Sequence, residues 1–317
     1  MAAILNQPQF QDADKAREYL EAQVWPNGRV CPHCGVIGEH YVLAGKSNRP
    51  GLYKCADCRE PFTVTVGTVF ERSKVGLHLW LQAVHLMSAS KKGISAKQLE
   101  RMLGVTYKTA WFMCHRIREA MKAEPTRLLG GPGSSGIVEA DETFWGNNGK
   151  LIPGFRGSDH KMKIVSLVER EGNKRSFHVA NVNGATLGSI LKSQISSSAR
   201  LMTDELRAYK ATGKHFASHE SVNHGAREYA RGDVTSNTVE SSFAILKRGL
   251  YGTFHSVSEK HLQRYCNEFD FRWNTRQSQG YSDADRANVA LKQIAGKRLT
   301  YRRIGQSPSA VHGQPQS

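Results

Sequence analysis

"RLMTDELRAY", residues 200–209, runs from a short apolar pair into acid: Leu201-Met202, then Thr203, then Asp204 and Glu205. "IVEADETFWG", residues 137–146, repeats the shape with Ile137-Val138 followed by Glu139, Asp141 and Glu142. Short apolar runs of this kind read as buried strands, and the acids mark where the chain leaves the core. Yet the chain holds 44 Lys+Arg against 28 Asp+Glu, a formal charge of +16, so acid is its scarcer charge. Asp141 and Asp204 at the ends of neighbouring strands, joined by Glu240 from a later helix, would make a site for two Mg²⁺ (or Mn²⁺). Such a pair of ions serves phosphoryl transfer, and Mg²⁺ takes few protein ligands because the substrate phosphate supplies others.

The positive balance, with a pI near 9.7, points to a polyanionic partner, and the basic residues are spread through the whole chain. Double-stranded DNA is the expected partner. No apolar run is long enough to span a membrane, and the N-terminus shows no cleavable apolar leader, so no membrane is expected and the expected location is cytoplasmic.

Four of the six cysteines form a second signal. "CPHCG" (Cys31, Cys34) and "YKCADCRE" (Cys55, Cys58) make a CxxC-x20-CxxC pattern. Two close thiolate pairs suit one structural Zn²⁺ in a zinc ribbon, whereas a disulfide reading conflicts with a reducing compartment. Cys114 and Cys266 lack such partners and read as buried helix residues.

Between the ribbon and the first acids the periodicity is helical. Leu77, Trp80, Leu81, Val84 and Met87 keep a 3.6-residue repeat. "SAKQLERMLGVTYKTAWFMCHRIR" then reads as helix, left-handed Gly104, Thr106 as N-cap, and a second helix. That is a helix-turn-helix pattern, with Lys108, Arg116 and Arg118 on the helix that would meet DNA. Pro, Gly and Ser in "EPTRLLGGPGSSG" mark a boundary, after which strands and then helices follow.

With these motifs in hand, the chain resembles zinc-ribbon DDE transposases of bacterial insertion sequences, over roughly residues 15–295. The resemblance rests on the paired CxxC turns, the helix-turn-helix segment, "VEADETFWG", "LMTDELRAY", "NTVESSFAILKRGLYGTFHSVS" and "HLQRYCNEFDFRWNTR". It implies an α/β (α+β) catalytic domain of the RNase H-like kind: a mixed sheet flanked by helices. It implies a catalytic triad of Asp141, Asp204 and Glu240, and Lys247 as a further basic residue of the signature. Lys247 lies seven residues after Glu240, two helical turns on the same face. Some relatives carry Asn where the third acid is expected, and Asn237 lies one turn before Glu240. His224, in "VNHGAREYA", resembles a family histidine, and Glu268 is a reserve third acid.

The expected organisation is a helix and zinc ribbon over 1–70, a helix-turn-helix domain over 71–123 and a linker over 124–136. The catalytic domain follows over 137–295, then a basic, disordered tail over 296–317. The expected function is transposition: binding element ends, cutting a strand and joining it to target DNA, as a homo-oligomer on that DNA. Arg248, with Arg264, Arg272 and Arg276, would follow the DNA backbone. The alternatives are a DNA-binding regulator with an inactive domain and a plain metal-dependent nuclease. Two structural expectations complete the reading. Glu139, Glu142 and Glu205 are solvated neighbours of the site or groups lying just behind it. Asn237-Thr238-Val239-Glu240 has the spacing of a capping box.

Overall fold

The computed structural model describes residues 4–147 and 160–300. Two short helices open it, α1 (Pro8–Gln11) and α2 (Ala13–Val24), with the Asp12 side chain accepting the Asp14 and Lys15 N–H groups at the start of α2. A three-stranded antiparallel ribbon follows: β1 (His40–Val42), β2 (Tyr53–Cys55) and β3 (Pro61–Phe62). Then come α3 (Leu77–Ala89), α4 (Ala96–Leu103) and α5 (Tyr107–Met121). Gly104, at φ +66°, closes α4, and the Thr106 hydroxyl accepts the Thr109 N–H to open α5. Those are the two turn roles their chemistry favours.

The larger sheet is built from β4 (Ile137–Trp145), β5 (Met162–Glu169), β6 (Lys174–Val179), β7 (Arg200–Thr203) and β8 (Ser218–Ser221). Its order is β6-β5-β4-β7-β8; β4, β5 and β6 pair antiparallel, whereas β4, β7 and β8 pair parallel. Helices cover both faces: α6 (Gly184–Gln194) and α7 (Arg207–Gly213) on one, α8 (Asn237–Gly249) and α9 (Glu259–Asn274) on the other. This is a mixed sheet flanked by helices, the α/β (α+β) class expected from the sequence. Strand period 2 divides β4 between the faces. Val138 and Ala140 join Leu187, Leu191 and Tyr209, whereas Trp145 joins Val239, Phe243 and Leu246.

Three segments lie elsewhere than their composition suggests. Residues 124–136 are fastened to the sheet domain rather than hanging as a linker. Leu129 is fully buried and bridges Ile195, and Arg127 forks onto Glu169 at 2.6 and 2.8 Å. The Gly130 N–H donates to the same carboxylate at 2.8 Å. Against the effect of burial, that guanidinium and the N–H hold the Glu169 carboxyl down at about 2. The last helix, α10 (Asp283–Lys292), packs on α3 and α2 within the N-terminal helical core, not on the sheet. Residues 296–300 also differ from a disordered tail: Gly296 N donates to Gly67 O, and Leu299 O accepts from Arg116. Residues 301–317 of the expected tail lie outside the described residues.

Candidate functional site

The register between β4 and β7 places the first two acids. Their parallel pairing runs from Ile137 opposite Arg200 to Glu139 opposite Met202. Two residues further on, Asp141 and Asp204 stand level with each other, just past the last paired residues. Asp141 is not at a strand end: β4 continues to Trp145, paired only with β5. What ends at Asp141 is the neighbour, so the gap beside it is open. Asp204 Oδ1 accepts the Leu206 N–H at 3.0 Å, an Asx turn that starts the approach to α7.

A third carboxylate joins these two. Asp141, Glu142 and Asp204 each offer an oxygen within 4.8 Å of the others. Glu142 is the next residue along β4 and so reaches the site from the α6/α7 side. There the buried Tyr209 hydroxyl donates to its Oε2 at 2.9 Å. Burial, reinforced by the charges of Glu142, Asp204 and Glu240, pushes the Asp141 carboxyl up to about 8. Burial raises Asp204 and Glu142 too, the latter also through Asp204. Such mutual repulsion is what a divalent cation relieves, and three carboxylates are the oxygen donors that Mg²⁺ or Mn²⁺ accepts.

Glu240 sits at the edge of this cluster. It lies in the first turn of α8, with Oε1 accepting from Ser236 Oγ at 2.8 Å and His224 Nε2 3.3 Å away. His224 is in turn held by Glu205, which accepts the His224 and Gly225 N–H groups. The expected capping box does not form. The helix is preceded by Ser236, and Asn237 is its exposed first residue. Its free N–H groups are taken instead by Glu139, which accepts from Thr238 N at 2.8 Å and Val239 N at 3.0 Å. Glu139 is fully buried and paired with Arg170 at 2.8 Å, so it is not a solvated neighbour.

In the ribbon, Cys31, Cys34, Cys55 and Cys58 converge, all four free thiols. The Cys31–Cys58 sulfurs are 3.6 Å apart and the Cys34–Cys55 sulfurs 3.7 Å. That is too long for disulfides and matches the edge of a tetrahedron with Zn–S bonds of about 2.3 Å.

Residues 134–274 match the ISXO2-like transposase domain, and residues 11–60 match the transposase zinc-ribbon domain. The protein in transposable element ISH50 of Halobacterium salinarum is 32% identical over 272 residues, which is 80% of this chain and 88% of that one. This chain belongs to the ISXO2-like transposase family. Two solved structures show a fainter likeness. A pre-cleavage Mos1 transpososome is 14% identical, with 61% of this chain and 75% of that chain covered at a TM-score of 0.21. The Mos1 strand transfer complex is also 14% identical, with 62% and 76% covered at 0.20. At those scores no residue role is carried across.

In this DDE-type transposase the basic residues expected at DNA divide sharply. Lys108, early in α5, and Arg248, late in α8, are exposed, and Lys247 is half-exposed on α8. Arg118 is buried and pairs with Glu268 at 2.6 Å; Arg272 takes that carboxylate's other oxygen. Arg116 is also buried, bonded to Glu71 O and Leu299 O. Arg116 and Arg118 therefore hold α5 in place rather than face a ligand, and Glu268 belongs to this pairing rather than to the acidic site. An α5 packed on α9 and on residues near 299 turns its second half inward, which the sequence of α5 alone does not show. Glu142, expected only as a neighbour of the site, lies within the cluster itself, and Tyr209 was not expected there. A second acid directly after Asp141 was the available signal, but its tie to Tyr209 crosses from another element.

Proposed function

We propose that this transposase binds the ends of its element, cuts a strand there and joins the new 3′-OH to target DNA. The observation that supports this most is the level pairing of Asp141 with Asp204 and Glu142 in a chain of formal charge +16. Asp141 and Asp204 would hold divalent cations, Mg²⁺ or Mn²⁺, with Glu142 beside them and Glu240 completing the shell. Cations held there would activate an attacking oxygen and stabilise the leaving one. The residues' own work is positioning: Tyr209 orients Glu142, Glu139 fixes the helix carrying Glu240, and Ser236 and His224 orient the Glu240 carboxylate. Lys247, two turns along α8, would meet a phosphate near that carboxylate. Lys108 and Arg248 would contact the DNA backbone, and the four cysteines would hold one Zn²⁺ that shapes the ribbon. On this reading the protein acts as a homo-oligomer, so that two element ends are held together.

The test is an incubation of labelled element ends with a circular target in Mg²⁺. Covalent joining of label to target supports transposition. Cutting without joining would indicate a nuclease, and binding without either would indicate a regulator.

A further inference from the structure

Between β8 and α8 the chain makes a loop, residues 223–234, that is fastened at several points beside the acidic cluster. Glu205, the residue after Asp204, accepts the His224 N–H at 2.9 Å and the Gly225 N–H at 3.1 Å. Glu228 accepts the Asn223 N–H at 3.1 Å and pairs with Arg231, whose guanidinium also donates to Ser221 O. Arg227 is held at φ +60°, a left-handed conformation that costs a residue with a Cβ. A backbone kept in that state is over-determined by its surroundings. What this fixed loop displays is Tyr229, 60% exposed. Among the described residues its ring meets one other, His224, at a centroid separation of 5.5 Å and a tilt of 59°. His224 Nε2 is in turn 3.3 Å from Glu240 Oε1, and Glu240 is itself exposed. Tyr229 therefore stands one imidazole away from a carboxylate of the site, backed on one side and open over most of its ring.

We propose that Tyr229 positions the substrate: its ring stacks on the base of a nucleotide adjoining the phosphodiester at the acidic site, and holds that base out of the duplex. Single exposed aromatics are ordinary on a surface. This one differs in its fixed backbone and in its place beside the acids. The phosphates of a strand are alike, so acids and cations alone do not settle which bond is presented. A base seated at a set distance from them does. The choice would be of position and not of sequence, because every base has a face to offer an aromatic ring. The proposal rests on the reading of the acidic cluster as the place of strand cleavage, and adds a contact to a base where the cations and lysines meet only phosphate.

The experiment measures single-turnover cleavage of element-end duplexes in Mg²⁺ by the full chain, with an abasic site placed in turn at each position around the cut. On intact DNA, Tyr229→Ala should cleave about tenfold more slowly, the scale of one base–aromatic stack, whereas Tyr229→Phe should stay within about twofold of wild type. At one position next to the cut, the abasic site should slow the wild type by about the same tenfold and slow Tyr229→Ala hardly further. That coupling is what a contact gives and a loosened loop does not. At the other positions the two losses should multiply. Multiplying losses at every position, full activity of Tyr229→Ala, or a Tyr229→Phe as slow as Tyr229→Ala would overturn the stacking and leave the transposase reading intact. A wild type that cuts none of the duplexes would overturn both.

Discussion

Glu139 closes the N-terminus of the helix that carries Glu240: its Oε2 accepts the Thr238 N–H at 2.8 Å across 99 residues of chain. The same carboxylate takes the Val239 N–H and the Arg170 guanidinium. One buried acid thus sets the distance between β4, which holds Asp141, and α8. Its charge also suits the positive end of the helix.

Glu139→Gln should therefore destabilise the sheet domain by about 2 kcal/mol, because it removes the charge that accepts from the half-buried Arg170 and from two helix N–H groups. Asn237→Ala should change stability by less than about 0.5 kcal/mol, since Asn237 is exposed and caps nothing. Glu240→Gln should keep the helix, as the Ser236 hydroxyl can still donate to it, yet lose strand transfer. Thermal melts and a strand-transfer assay on the three variants check the ordering. A costly Asn237→Ala would restore the capping box.

Gly130 gives a local test of how residues 124–136 are attached. Its φ is +69°, and an added Cβ would lie 2.5 Å from the Ala199 Cβ. Gly130→Ala should cost about 2 kcal/mol from strain and overlap together. Denaturant melts measure it, and an unchanged midpoint would mean that this segment is loose.

How far the sequence went is clearest at the two strand acids. Asp141 and Asp204 were legible because an apolar run broken by acid is a local pattern. The Cys31/Cys34 and Cys55/Cys58 pairs were legible for the same reason, as were Gly104 and Thr106 in the turn. What was not legible depends on contacts between distant elements. Arg118 looks like a surface cation until Glu268, 150 residues later, is brought against it. Glu139 looks like one more acid in a cluster until α8 is laid over β4. The turn-rich stretch around Gly130 reads as a linker because the carboxylate that fastens it, Glu169, lies 39 residues away.

His115 makes stability depend on mild acid. It is 1% exposed among Trp111, His261 and Tyr265, and neither ring nitrogen has a hydrogen-bond partner among the described residues. Burial, helped by the charges of Arg118, His261 and Arg264, lowers it from 6.5 to about 2. The folded value lies below the unfolded one, so below about pH 6.5 the unfolded chain takes up the proton first. Stability present above that pH is lost progressively as pH falls toward 2. Melting temperature should drop between pH 7 and 5, and His115→Leu should flatten that slope. An unchanged slope in the variant would assign it to other groups.

The zinc site predicts one Zn²⁺ per chain that survives dialysis, because four thiolates close the coordination sphere. Cys55→Ser should release it and loosen the ribbon while the sheet domain keeps its own melting transition. Metal analysis of freshly prepared protein decides the first part, and no bound zinc would remove the assignment.

The most direct measurement is strand transfer by Asp204→Asn, read beside DNA binding by the same protein. The substitution keeps the volume and removes one charge from the cluster of Asp141, Glu142 and Asp204. Cleavage and joining in Mg²⁺ should fall by at least about a thousandfold, the scale of lost electrostatic stabilisation at a reacting phosphate. Affinity for element-end DNA should stay within about twofold, because the surfaces proposed for DNA, at Lys108 and Arg248, lie on other elements. Joining by Asp204→Asn at the wild-type rate would contradict the account.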